Sequence, residues 1–325
     1  MEQQIYPWEE GGKFHEANES PSRELISKAG QGDLDAQFEM SRYYKDDEKQ
    51  RLAWLKKAAE GGNVRAQYEY GYEMSDTSNL AYDSEEAEKW FRAAAEKGWA
   101  PAQFELGDTL IRRLEWSDED ETEAIREGLE WVRKAVDARY AEAEALYGSL
   151  LLSGIEDILE KQESEAIPFL VRGAAASREA AYLLGKAYEE GLGVAKPDYS
   201  QAAEWYRQAN KYCDSRTRLG MLYENGPHAE YGGPERNYRM AFLYYKEDLH
   251  CLHPEAYFLL GRLHMRGLGT PQNFIEAYVN FAVAVALSDN PPALQVEARD
   301  EAATKLGTTE MMKAQKRASS IAKKR

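Results

Sequence analysis

Apolar residues recur along this chain at helical spacing, in paired blocks. Between Arg178 and Lys211, Ala180, Leu184, Ala187 and Tyr188 fall on one face of a first helix, and Ala202, Trp205, Tyr206 and Ala209 on one face of a second. Gly191 and Gly193 break the first helix, because glycine reaches backbone angles that other residues avoid. Pro197 and Asp198 lead into the second. Gly185 stands inside the first helix despite an intrinsic cost of about 1 kcal/mol against alanine. Its place there predicts close approach of the second helix.

The hairpin recurs. Positions equivalent to Gly185 are Ser41, Gly71, Gly107, Gly148, Gly220 and Gly261. Five residues earlier stand Ala36, Ala66, Ala102, Ala143, Ala180, Ser215 and Ala256. The second helices carry a column of Trp54, Trp90, Trp131, Phe169, Trp205, Tyr244 and Asn280, in steps of 36, 41, 38, 36, 39 and 36 residues. Self-similarity at this period predicts a helical solenoid. One hairpin cannot bury its own apolar face, so neighbours stack into a continuous core. The tryptophan column, set among alanines, is expected in that core.

The pattern A-x-x-x-x-L-G-x-x-Y-x-x-G-x-G followed by x-A-x-x-W-x-x-x-A-A-x-x-G resembles Sel1-like repeats, relatives of the tetratricopeptide repeat. Ala180 to Asn210 matches best, and the likeness extends over about Gly32 to Ala286. The resemblance implies an all-α, right-handed α/α superhelical solenoid of about seven hairpins with helical caps, serving as an adaptor or binding surface. The expected divisions are a polar segment over 1–19, a capping helix over 20–32, seven repeats over 33–288, and a helical cap with a basic tail over 289–325. Ser20 and Pro21 suit a helix start. Pro168 predicts a kink or a late start in its helix. Gly307 and Thr308 predict a split of the last segment into two helices.

The net charge is −16. Lys313, Lys316, Arg317, Lys323, Lys324 and Arg325 give the last 14 residues +6 with no acid, so residues 1–311 carry −22. A body this acidic repels a phosphate backbone, which argues against nucleic acid as partner. No apolar run of about 18 residues predicts a membrane span, and the first residues show no basic-then-apolar leader. Two cysteines in different repeats, Cys213 and Cys251, are expected in a reducing compartment. Together these features point to the cytoplasm.

A search for chemistry yields little. His250, Cys251 and His253 cluster in H-C-L-H near a helix end, but no second ligand pair accompanies them, so packing and the helix dipole explain them better than zinc. His264 takes the column of Tyr188 and Tyr223 and is expected to pack in place of tyrosine. G-L-G at Gly191–Gly193 and Gly267–Gly269 follows no strand and reads as a turn, not a nucleotide loop. The acidic run from Glu115 to Glu123 lacks calcium-loop spacing, and Ser320-x-x-Lys323 lacks the partner motifs of a penicillin-recognising site. No metal, cofactor or catalytic residue is expected.

In tetratricopeptide-like repeats the first helices line a concave face. Phe38, Tyr68, Phe104, Tyr182 and Phe258 make an aromatic stripe along that series, open to reading as partner anchors or as packing between repeats. Arg42, Tyr72, Asp108, Lys186 and Arg262 make a variable column four residues further on. These ten residues are the candidate site for a protein or peptide partner on an interaction scaffold. An immunity or antitoxin protein is an alternative, and a hydrolase is disfavoured for want of a convergent nucleophile and base.

Overall fold

A computed structural model describes residues 21–76, 83–112 and 122–323, and all its regular structure is helical. The chain divides into two compact units, one ending at Tyr140 and the other beginning at Ala141. The first contains α1 (Arg23–Gly30) and three hairpins: α2 (Leu34–Tyr43) with α3 (Glu48–Gly61), α4 (Val64–Ser75) with α5 (Ser84–Glu96), and α6 (Ala100–Arg112) with α7 (Thr122–Asp137). The second contains four hairpins: α8 (Ala141–Ser153) with α9 (Glu163–Gly173), α10 (Arg178–Glu190) with α11 (Tyr199–Ala209), α12 (Ser215–Asn225) with α13 (Tyr238–Asp248), and α14 (Pro254–Arg266) with α15 (Phe274–Leu287). It closes with α16 (Ala293–Ala303) and α17 (Thr308–Ala322). The acidic run lies mostly outside the described residues.

Many of the described helices begin where the sequence offers a capping oxygen. Asp33, Asn63, Ser177 and Asn273 each accept a backbone N–H from the first turn that follows. At α1 the cap is Ser22, whose hydroxyl accepts from Leu25 at 3.1 Å, so Pro21 precedes the cap instead of opening the helix as expected from Ser20. α9 starts at Glu163 and runs through Pro168. Gly307 does end the linker between α16 and α17, and its N–H donates to Glu310 at 3.0 Å.

The marker glycines pack as expected. A methyl on Gly185 would lie 2.4 Å from the Tyr206 ring, one on Gly220 2.5 Å from Tyr245, and one on Gly261 2.7 Å from Phe281. In the first unit Gly107 abuts Val132 and Gly71 abuts Phe91. The residue each glycine receives is the one after the tryptophan column. Leu55, Phe91, Val132, Tyr206, Tyr245 and Phe281 are almost wholly buried. Trp54, Trp90 and Trp205 are only half-buried, which corrects the expectation for that column; of its four tryptophans Trp131 alone is buried. The core position goes instead to the next residue along each helix, which in α5 and α11 fills the cleft over the facing glycine; the indole N–H of Trp90 donates to Glu86 at 2.9 Å and that of Trp131 to Glu127 at 3.0 Å, so one edge of each of these two rings is held by a carboxylate.

The G-L-G turns are confirmed in form. Gly191 and Gly267 end their helices with φ of +80° and +69°. The second glycine of each pair serves a different need: a side-chain carbon on Gly193 would lie 2.2 Å from the Glu163 carbonyl oxygen, and one on Gly269 2.2 Å from that of Tyr238. The turn thus lies against the first residue of the preceding hairpin's second helix.

Candidate functional site

In the first unit the aromatic stripe is mostly packing. Phe38 is 5% exposed within the core. Tyr68 lies 6.1 Å from Phe91, and Phe104 lies 5.6 Å from Tyr140. The variable column is more open. Arg42 is exposed beside Glu39, and Tyr72 is 54% exposed with its ring 6.4 Å from that of Tyr68. Asp108 accepts from Arg112 Nε at 2.7 Å. Across α2, α4 and α6 the same register therefore presents a cation, an open ring and a paired anion.

In the second unit Tyr182 packs between Tyr206 and Tyr212, with centroids 5.9 and 5.0 Å away, and its hydroxyl donates to Asp214 at 2.7 Å. Burial and that carboxylate push its pKa upward. Phe258 is buried against Phe281. Lys186 is half-buried, and Arg262 is committed to an ion pair with Glu224. Glu224 also accepts the hydroxyl of buried Tyr245 at 2.8 Å. One hairpin earlier, Glu189 accepts from Tyr206 at 2.5 Å and faces Arg218 at 3.8 Å. Burial raises the carboxyl of Glu189 and the phenols of Tyr206 and Tyr245 above their usual values.

Two devices escaped sequence reading. The first is a side-chain latch between hairpins. Gln37, Gln67 and Gln103, all buried, donate their amides to the carbonyls of Ala29, Ala59 and Ala95 at 3.1, 3.2 and 3.2 Å. Tyr257 does the same to Leu249 at 3.1 Å. Each adds a second hydrogen bond to a carbonyl at the end of the preceding helix that already accepts a backbone N–H from the turn. The recurrent Ala-Gln pairs were visible, but their acceptor, eight residues back, was not.

The second is a disulfide. Cys213 precedes α12 and Cys251 precedes α14, and the fold lays one inter-hairpin turn over the next, bringing their Cα atoms to 5.8 Å in a Cys213–Cys251 cross-link. Cys251 is therefore no apolar filler, and the cysteine count no longer supports a reducing compartment. The Sγ atoms of both cysteines and a ring nitrogen of His250 lie within 4.8 Å of one another. His253 instead groups with Asp214 and Glu255. The turns themselves are irregular, with positive φ at Asn210, Asp214 and Leu252 where other turns use glycine.

His264 is buried edge-on to Phe242 at 5.3 Å, as expected of a tyrosine substitute. It lines an open cavity of about 650 Å³ with Lys246, Glu276, Asn280 and Arg317. Burial lowers its pKa, with Arg317 and Lys246 adding to the effect and Glu276 opposing it. These arrangements hold rings and ion pairs in place.

Among functionally curated proteins, none matches the chain. Its structure resembles that of a protective antigen present in uropathogenic Escherichia coli strains, which displays an SLR fold, at TM-score 0.77 and 20% identity over 92% of this chain. The chain spans 63% of that protein's length. A Sel1 repeat protein from Oxalobacter formigenes matches at TM-score 0.52 and 21% identity, covering 88% of this chain and 91% of the other. The Sel1 repeat pattern itself matches residues 34–63, 64–99, 100–140, 178–211, 214–247 and 254–289, leaving out the terminal helices α1, α16 and α17 and, between them, the hairpin α8–α9 with its Pro168 and Phe169. Over most of its length, therefore, the chain is built of these repeats, and it belongs to the Sel1 repeat family.

Proposed function

We propose that the chain is a non-catalytic interaction scaffold whose first-helix faces bind a protein or peptide. Sel1 repeats generally mediate protein interactions. No described helix is long and apolar enough to cross a membrane. The observation that carries the reading is Tyr72. A large ring, 54% exposed, is held on a helix whose opposite face is locked into the core. Such a ring loses little conformational freedom on binding and recovers solvation energy against a partner, as aromatic hot spots do. Arg42 and Asp108 at the equivalent places on α2 and α6 supply opposite charges in the same register. In the second unit Lys186 offers the corresponding cation, whereas Phe38, Phe258 and Arg262 serve the fold.

The test needs a partner, obtained by affinity capture and identified by mass spectrometry, and then calorimetry on purified components. Arg42→Ala with Tyr72→Ala is expected to weaken binding about 10–30-fold, as loss of a hot spot does, with helicity and Tm unchanged. Lys56→Ala with Lys89→Ala, on the exposed sides of α3 and α5, is expected to bind normally. Equal affinity for both doubles refutes the reading, and loss confined to the second double moves the surface to the second helices.

A further inference from the structure

We propose that Cys213, Cys251 and His250, when the disulfide is reduced, form a zinc-binding centre at the junction of the last two inter-hairpin turns. Sequence spacing hides this set, because Cys213 joins the H-C-L-H segment only through the fold. The three ligand atoms already lie within 4.8 Å of one another. The Cα separation of 5.8 Å suits two thiolates on one tetrahedral ion as well as it suits a cross-link. With Zn–S bonds of about 2.3 Å the sulfurs would stand roughly 3.8 Å apart, a separation that rotation of the exposed Cys213 side chain supplies.

The imidazole is set for coordination. His250 Nδ1 lies 2.8 Å from the Glu247 carbonyl oxygen. A carbonyl can only accept, so Nδ1 carries the proton. Nε2, the other nitrogen, then presents a lone pair, and it lies 3.4 Å from Cys251 Sγ. A histidine whose far nitrogen donates to a carbonyl is the usual posture of a zinc ligand. A carboxylate adds the remaining incentive. Asp248, wholly buried, accepts from the Thr217 hydroxyl at 2.5 Å through Oδ2, while its Oδ1 stands 3.8 Å from Cys251 Sγ. Two thiolates beside that charge repel one another, and a dication between them removes the repulsion. Two sulfurs and one imidazole nitrogen leave a fourth position facing solvent, open to water, since Cys213 and His250 are both exposed.

The states exclude each other. A phosphine reductant and one water convert the disulfide to two thiols and leave a phosphine oxide. One Zn²⁺ then replaces two thiol protons, which go to solvent. The experiment uses the full chain, reduced with a water-soluble phosphine, freed of reductant without air, and titrated with Co²⁺ as a spectroscopic probe and with Zn²⁺ against a chromophoric chelator. The expected result is one metal per chain, tetrahedral cobalt bands with sulfur-to-cobalt charge transfer, and release of two protons. The oxidised chain should show none of these. Cys213→Ser should bind at least about a hundredfold more weakly, and His250→Ala at least about tenfold, with circular dichroism matching the reduced parent. Binding by the oxidised chain, cobalt bands that persist in Cys213→Ser, unchanged affinity in His250→Ala, or no thiolate–cobalt band in the reduced parent each overturns the proposal.

Discussion

Replacing Gly185 with alanine tests the packing logic at its tightest point. The added carbon would stand 2.4, 2.5 and 2.9 Å from three atoms of the Tyr206 ring, where ordinary contact begins near 3.4 Å. The ring must retreat by about 1 Å, and it has nowhere to go: Tyr206 is wholly buried and its hydroxyl is held by Glu189. Overpacking of this kind costs about 1–3 kcal/mol. Loosening a hydrogen bond to a charged group adds about 1.5–3 kcal/mol. Alanine's better helix propensity returns about 1 kcal/mol. The net expectation is a loss of about 1.5–5 kcal/mol, read as a fall in Tm of roughly 3–20 °C for a unit of this size and as an earlier urea midpoint by circular dichroism. Gly30, at the end of α1, has open space where its methyl would go, so Gly30→Ala should be neutral or slightly stabilising. If Gly185→Ala instead gains stability, the glycine marks no close approach and the argument for the whole column fails.

Tyr206→Ala should cost about 3–5 kcal/mol in urea unfolding, as large buried truncations do, and Trp205→Ala distinctly less, since that ring is half outside the core. Reducing the Cys213–Cys251 bond, which closes a loop across 38 residues, should lower stability by about 4 kcal/mol in the chain-entropy description, visible as a Tm difference between oxidised and reduced parent that disappears in Cys213→Ser. Burial holds His264 below its usual pKa. The unfolded chain therefore takes up the proton first, and stability complete above about pH 6.5 should decline as pH falls below it. In His264→Phe that slope in urea midpoint against pH should flatten.

Much of the fold was legible because the repeat imposes the same steric demand many times. Gly71, Gly107, Gly185, Gly220 and Gly261 each declare where a neighbouring helix must touch, and the G-L-G turns declare where a helix must stop. What periodicity could not resolve was which of two adjacent residues lies deepest. Trp205 and Tyr206 are about 100° apart on the helix, and both are large and aromatic; the deciding fact, a glycine cleft shaped for the ring of Tyr206, belongs to the partner helix. The candidate site was legible only as a register. Sequence placed Tyr72 and Phe258 in related columns, but exposure separates them, and exposure depends on the next hairpin. The cysteines were misread for a similar reason: a separation of 38 residues looks remote on a line and is one repeat in the stack.

The cross-link also sets how the chain can be taken apart by force. Cys213 and Cys251 bracket the whole α12–α13 hairpin, so tension entering from either terminus bypasses it through the sulfur bridge. Those 38 residues represent about 130 Å of extended chain at roughly 3.4 Å per residue, a length that stays out of reach of a pulling device or a threading protease until the bridge is cut. Reducing conditions would thus lengthen the extensible chain in one step, without any change in its sequence.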